Sequence, residues 1–485
     1  MQNMKKYFVI ATCLTTLIIL VGCDKYLEET PDNRVDLNTP QKAAQLLTNA
    51  YSSAGYNFTE WMGDNVAFTT GTFKQPEHNQ AYAWEESTAI SQDTPSYFWT
   101  TTYDAIAHAN EVLAVIDDLP GERAFKDAIK GEALLARAYG HFMLVNLFAK
   151  DYNPQTAAQD LGIPYVNEPE TEFVKQYTRH TVEEVYDFIE DDIEEGLDLV
   201  DSRYYAGSGK YHFTEDAALA FASRFYLFKE DWDKCIEYSS QMLGASPDEY
   251  IKDIPEIIAT KENTDDFVRL ITSPNDPSNL LLIRNVTNAV VSVGYWPDQN
   301  LLDFIFENNP WGVDDIRTSN EYPIYVFGTN GLGLAKYEFL FERSSLTSNV
   351  GFNYTIISAF RGDEVILSRA ESYAHKNQLD LAMADMQLYI SKRYDGNPPL
   401  TLPLLRAYYG TTNNQLAMLG FIIDERRKEF IHEGLRWFDI KRYSIPVEHM
   451  LGTGNFITLE SDDLRKVLQI PQNAIDVGGL EANPR

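Results

Sequence analysis

Cysteine is nearly absent from this chain of 485 residues, which holds only Cys13, Cys23 and Cys235. Positive charge is also scarce, with 40 Lys and Arg against 72 Asp and Glu and a formal charge of −32. That balance excludes the basic footprint that nucleic-acid binding requires and adhesion to anionic lipid through a basic patch. The eight histidines are scattered, and neither HExxH nor CxxC occurs, so no metal or other cofactor is expected. Gly207-Ser208-Gly209-Lys210 falls short of a phosphate loop, because Tyr204 and Tyr211 stand where Gly and Ser or Thr are needed. No GxSxG elbow is present either, and no catalytic residue is singled out. The apolar run Tyr7–Leu20 has fourteen residues. As a helix it rises only ~21 Å, less than the ~30 Å of a bilayer core.

What that run does have is context. Lys5 and Lys6 precede it, and Leu20-Val21-Gly22-Cys23 closes it with the lipobox of a bacterial lipoprotein. Residues 1–22 read as a signal peptide cleaved before Cys23, whose acylation would anchor the chain to a membrane outside the cytoplasm. Processing removes two of the 40 basic residues and no acid, leaving 38 against 72, a formal −34. With Cys23 acylated, Cys235 has no disulfide partner. Residues 23–40 are polar, with Glu28, Glu29, Pro31, Asp32 and Pro40, and suit a flexible tether.

From residue 41 the pattern turns helical. Leu135, Ala138, Phe142, Val145 and Ala149 recur at three- and four-residue steps, as do Val182, Val185, Ile189 and Ile193 behind a capped start at Thr181. Thr214–Leu243 and Gly362–Arg393 each read as a helical hairpin with small residues at the crossing: Ala218 and Ala222 in one, Ala370, Ala374 and Ala382 in the other. Their layout resembles tetratricopeptide units, which bury their faces by stacking. The expected fold is therefore mainly α. A tetratricopeptide-like scaffold (41–56, 96–243 and 362–443) carries long, irregular, loop-rich insertions at 57–95 and 244–361, and residues 444–485 form a tail, all within one domain. Short strands are expected at Leu280–Arg284 and Pro323–Phe327.

Separated segments together resemble the SusD/RagB family of Bacteroidetes nutrient-uptake lipoproteins. They include Trp99–Asn110 (WTTTYDAIAHAN), Gly131–Phe148 (GEALLARAYGHFMLVNLF), Leu161–Val166 (LGIPYV), Asp315-Ile316-Arg317, Arg361–Tyr373 (RGDEVILSRAESY) and Asp424–Tyr443 (DERRKEFIHEGLRWFDIKRY). The resemblance implies a non-enzymatic outer-membrane lipoprotein, exposed at the surface. It would bind a carbohydrate and deliver it to a SusC-like TonB-dependent transporter. Peptide capture in the manner of RagB is the alternative, followed by a glycoside hydrolase and a purely structural scaffold. The two insertions match no motif, so the cargo stays open.

The Asp424–Tyr443 block is rich in Arg and carboxylates, but it reads as structural, because such groups pair in bidentate fashion and fix helix docking. Ile422, Phe430, Trp437 and Phe438 supply its core face. Sugar rings pack their C–H faces on flat aromatic rings while their hydroxyls seek amides and carboxylates, so a glycan site needs aromatic platforms with polar neighbours on loops. The candidates are Trp61, Tyr82 and Trp84 in the first insertion, and Tyr295, Trp296, Asp298, Asn300 and Trp311 in the second. Trp99, Trp232 and Trp437 are expected in the core, and Cys235 is expected to be buried.

Overall fold

Helices begin where the sequence supplies a side-chain acceptor. Thr94, Thr181, Thr214, Asp231 and Asn413 each accept a backbone N–H from the first turn that follows, and Thr181 with Glu184 forms a reciprocal capping box. The computed structural model describes residues 37–170, 175–205, 207–289, 294–452 and 454–485. The signal segment, Cys23 and the tether up to residue 36 lie outside these described residues. Thr39–Arg485 is one compact unit, and no helix among the described residues is long and apolar enough to cross a membrane.

Eight helices form the scaffold: Pro95–Val115, Arg123–Phe148, Val182–Leu199, Glu215–Phe228, Trp232–Leu243, Gly362–His375, Leu379–Ile390 and Asn414–Glu429. Each packs on the next, so the array runs unbroken from Leu243 to Gly362 across the whole second insertion. Both anticipated hairpins turn on a residue with left-handed backbone, Glu230 in one and Asn377 in the other. Their crossing residues Ala218, Ala222, Ala370, Ala374 and Ala382 are fully buried, as is Cys235. Gly131 and Gly196 bring the two helices that contain them into direct contact. A Cβ on Gly196 would lie 2.8 Å from Leu135 Cγ, and one on Gly131 would lie 2.6 Å from Val200 N. The helical, tetratricopeptide-like reading holds.

The expected strands are present as β1 (Asn279–Val286) and β2 (Ile324–Phe327). The second insertion holds more order than its sequence suggests. It adds β3 (Gly331–Leu334), β4 (Leu340–Arg343) and β5 (Gly351–Arg361), which form an antiparallel β1-β5-β4 sheet and a β2-β3 hairpin. It also adds the helices Ile254–Thr260, Thr264–Ile271 and Gln299–Phe306. Two turns of helix give little periodicity, and β5 has no clean alternation of buried and exposed residues. These elements enclose a second apolar cluster, with Ile257, Phe267, Val268, Leu302, Ile305, Phe306 and Tyr322. In the tail, β6 (Val447–Gly452) pairs with β7 (Asn455–Leu459).

The insertion is fixed to the scaffold by buried charge. Glu429 accepts from Arg393 Nε at 2.8 Å and from the Tyr389 hydroxyl at 2.7 Å. Arg317 and Arg361 approach it at 3.4 and 3.6 Å. Arg393 also donates to Asp363 at 2.5 Å, and Arg317 forks onto Asp315 at 2.9 and 2.7 Å while reaching Glu425 at 2.9 Å. Burial alone would raise the Glu429 carboxyl, but Arg393, Arg361 and Arg317 hold it well below the usual carboxylate range. Most of the Arg-rich block therefore serves structure. Arg426 pairs with Asp439, Arg442 with Glu371, and Arg436 with Asp64, all within 3.1 Å.

Removing one member of a buried cluster strands the others without a partner, which costs about 3–5 kcal/mol, whereas an exposed pair contributes under about 1 kcal/mol. Glu429→Ala is expected to lower the urea midpoint steeply or to prevent folding. Arg123→Ala, which breaks the solvent-facing pair with Asp127, is expected to leave the midpoint almost unchanged. Similar small shifts in both variants would contradict the role given to Glu429.

Candidate functional site

Four of the aromatic residues expected as open platforms are buried instead. The two insertions and the tail hairpin bring three of them together with His449 in one stack. Trp84 lies on His449 at 4.5 Å, His449 on Tyr82 at 4.2 Å, and Tyr82 on Tyr295 at 3.7 Å, with interplanar angles of 19°, 8° and 7°. The Lys74 ammonium sits 4.8 Å from the Tyr295 ring. Trp84 has left-handed backbone, an uncommon state for so bulky a residue, and its indole N–H donates to Met62 O at 2.9 Å. Both ring nitrogens of His449 lie 2.7 Å from carbonyl oxygens, those of Tyr82 and Gly63. Trp61 packs against His78 at 4.5 Å, and Gly294 is pressed so close to the indole that a Cβ there would lie 2.5 Å from its Cε2. Trp61, Tyr82, Trp84 and Tyr295 are thus internal supports, because each ring found an apolar partner across the fold.

The surface above this stack is built by three stitched segments. Thr69 holds Trp296 through both backbone groups, accepting from its N–H at 2.9 Å and donating to its carbonyl at 3.0 Å. Gly294 N donates to Phe73 O at 3.1 Å, Leu332 N to Pro297 O at 2.8 Å and Thr329 N to Thr70 O at 2.8 Å. A row of rings crosses the joined surface. Trp296 stacks on Phe327 at 4.0 Å and 16°, Phe327 lies 6.2 Å from Tyr325, and Tyr325 lies 4.9 Å from Phe339. Tyr325 and Phe327 face Gly333 and Gly331 across the β2-β3 hairpin, and those glycines leave room for the Trp296 side chain: a Cβ at Gly333 would lie 3.0 Å from its Cζ3 and one at Gly331 3.0 Å from its Cβ.

This ledge opens outward. Phe327 is buried beneath Trp296, Trp296 and Tyr325 are half-buried, and Phe339 is 43% and Phe73 62% exposed. Exposed Thr70 and Thr329, with half-buried Asn330, form a polar rim, where Thr70 N donates to Asn330 Oδ1 at 2.9 Å. Of the expected platforms, Trp296 lies in the ledge. The neighbouring Asp298 caps the next helix, accepting from Leu301 N at 3.0 Å, and Asn300 is exposed on that helix's first turn. Trp311 lies elsewhere, as a half-buried peg whose indole donates to Pro399 O at 2.8 Å and meets Tyr394 and Phe421 edge-on. Phe73, Tyr325, Phe327 and Phe339 are not among the expected platforms. The alternation in the strand at 323–327 already placed Tyr325 and Phe327 on one face.

Two carboxyls behind the site are strongly perturbed, a feature that often marks catalytic acids. Glu60 is raised to about 7 by burial, against the pull of backbone N–H bonds from His432 at 2.8 Å and Gly434 at 3.0 Å. Asp93 is raised to about 6 by burial while it accepts from Thr287 Oγ1 at 2.6 Å and Asn288 N at 2.8 Å. Both are sealed in by the loops they hold. Among the described residues, no group of three or more His, Cys, Asp and Glu is arranged to hold a metal ion.

Comparison with known proteins agrees with this architecture. Residues 25–227 match a SusD-like family described as starch-binding and associating with the outer membrane, and residues 328–479 match the SusD family. A SusD-like protein of Formosa agariphila is 22% identical over 93% of this chain and 94% of its own length. A SusD superfamily structure from Bacteroides vulgatus superposes with a TM-score of 0.70 at 18% identity, covering 92% of this chain and 99% of the other. A second B. vulgatus structure, a putative sugar-binding protein, gives 0.69 at 19% identity over 93% and 99%. A laminarin-binding SusD-like protein gives 0.63 at 17% identity over 92% and 100%. At such identities the structural likeness shows the fold.

The Glu60 carboxyl makes stability depend on pH. Its folded value of about 7 lies above the unfolded carboxylate range, so the native state holds the extra proton between about pH 4.5 and 7. Its contribution is fully present below pH 4.5 and is lost as pH rises through 7, to the extent of about 3 kcal/mol. Relative to wild type, Glu60→Gln is expected to gain stability progressively from pH 5 to 8 in urea titrations. A difference between the two proteins that stays constant with pH would refute the assignment.

Proposed function

This chain belongs to the SusD/RagB family of outer-membrane-associated, carbohydrate-binding proteins, and we propose that it captures a glycan on the Trp296–Phe339 ledge and hands it to a SusC-like TonB-dependent transporter. The observation that carries the reading is the ledge itself: the half-buried Trp296 and Tyr325 and the exposed Phe339, with hydroxyl and amide neighbours, held by backbone bonds over a buried stack. Pyranose C–H faces fit such rings, and the polar rim suits their hydroxyls. Lipid at Cys23 would hold the protein at the surface of the outer membrane. There a captured glycan stays at high effective concentration beside the transporter mouth. The role is non-catalytic: Glu60 and Asp93, the strongly raised carboxyls behind the ledge, are occupied in holding loops.

Calorimetric titration with laminaritriose, maltotriose, cellotriose, mannotriose and short peptides tests the cargo. Binding of at least one glycan is expected, weakened about tenfold, or about 1.4 kcal/mol, in Phe339→Ala and Trp296→Ala. Heat with peptides alone would replace the glycan reading, and shortened sugars accumulating over hours would overturn the non-catalytic one. Cys23→Ala is expected to move the protein from the membrane fraction to the soluble fraction of cells; retention in the membrane would refute the lipid anchor.

A further inference from the structure

The helix Gln299–Phe306 leads away from the ledge and ends at a second opening. Its outer face carries Asn300, Asp303 and Phe304, and over eight residues it rises ~12 Å. Phe304 is 60% exposed although it is a large apolar ring. Across from it, Tyr408, 39% exposed, closes the helix Leu402–Tyr409. Both rings line a cavity of about 360 Å³, together with Ile305, Asn308, Asp424, Arg427 and Lys428, and the Arg427 guanidinium lies over the Phe304 ring at 6.0 Å. That volume accommodates one or two sugar rings.

The polar groups that line the cavity, one carboxylate and two cations among them, are held in place by neighbours. Asp424 accepts from the Tyr409 hydroxyl at 2.6 Å through one oxygen. Its other oxygen takes no hydrogen bond among the described residues. Asn308 donates to Phe304 O at 2.8 Å, which leaves its amide oxygen as an acceptor. Arg427 is matched by Asp64 and Asn65 at 2.5–3.5 Å. Lys428 is matched by Glu425 at 3.2 Å and the Tyr394 hydroxyl at 2.7 Å. A cationic ligand would face the two bases and an anionic one would face Asp424. A neutral polyol finds acceptors in Asp424 and Asn308 and apolar ring surface in Phe304 and Tyr408.

We propose that this cavity is a second carbohydrate subsite that takes one or two uncharged hexopyranose units between Phe304 and Tyr408. It rests on the reading of the protein as a glycan binder, but not on the ledge. A glycan chain leaving the ledge along the Asn300–Asp303–Phe304 face reaches the subsite within about 12 Å, so the two sites engage one polymer and reinforce each other.

Methyl NMR of the isoleucine-labelled full chain separates the two sites, because Ile305 lines the cavity and Ile324 lies on the ledge hairpin. The probes are maltose, laminaribiose, cellobiose and mannobiose, with glucosamine and glucuronate as charged controls. The expected result is a saturable Ile305 shift with at least one neutral disaccharide. Its apparent Kd should rise at least fivefold in Phe304→Ala and in Tyr408→Ala and stay within twofold in Phe339→Ala. A shift at Ile324 with Ile305 silent would overturn the subsite and leave the ledge standing. A shift at Ile305 alone would support the subsite and count against the ledge. Silence at both, or an Ile305 response only to the charged sugars, would overturn the proposal.

Discussion

Glu429 is the point on which the molecule turns. Its carboxylate gathers guanidinium groups from three places that are remote in sequence: Arg317 and Arg361 in the second insertion and Arg393 after a scaffold hairpin. Taking so many charges out of water costs several kcal/mol per ion, and only near-ideal geometry recovers it. That cost makes the arrangement selective. A shift of one helix against its neighbours would leave a buried Arg or carboxylate without a partner, so few alternative packings survive. The insertion has its own apolar cluster and could satisfy its hydrophobic groups in several orientations. The ion network chooses one, and the ledge inherits its position from that choice.

The ledge also depends on what lies beneath it. Trp84, His449, Tyr82 and Tyr295 stack across two insertions and the tail hairpin. Thr69 clamps Trp296 through its backbone, so the ring row does not need to be ordered when a ligand arrives. A binding loop that is rigid beforehand loses less conformational entropy on association. The sequence places aromatic residues densely in both insertions. Some of them, Tyr82, Trp84 and Tyr295, serve as the floor that lets others act as a surface.

Much of the scaffold was legible from local signals, because a helix of three or more turns advertises itself by period and cap, as Thr181–Leu199 does. The structural role of Asp424–Tyr443 was legible too, since alternating Arg and carboxylate on a helix with an apolar face is chemistry for docking. The platforms were less so. Trp84 beside Glu85 and Trp296 beside Asp298 look alike in sequence, yet Trp84 is buried under His449 and Trp296 reaches the surface. What separates them is a partner hundreds of residues away, which no local pattern encodes. The same holds for Asp298, whose side chain is spent on capping a helix.

Net charge gives a parallel case. A formal −32 suggests a surface that prefers cations, but the acids that matter are consumed internally: Glu429, Glu425, Asp363, Asp439 and Glu371 all lie within buried pairs. Where the structure opens beside Phe304 and Tyr408, one acid stands with two bases that are themselves paired to the carboxylates of Asp64 and Glu425. At the ledge the rim is amide and hydroxyl. An uncharged ligand feels little of the global field, which falls off over about 10 Å in ordinary salt, and responds to ring faces and hydrogen-bond directions at contact range. An acidic exterior therefore favours solubility and self-repulsion without weighing on contacts made at that range.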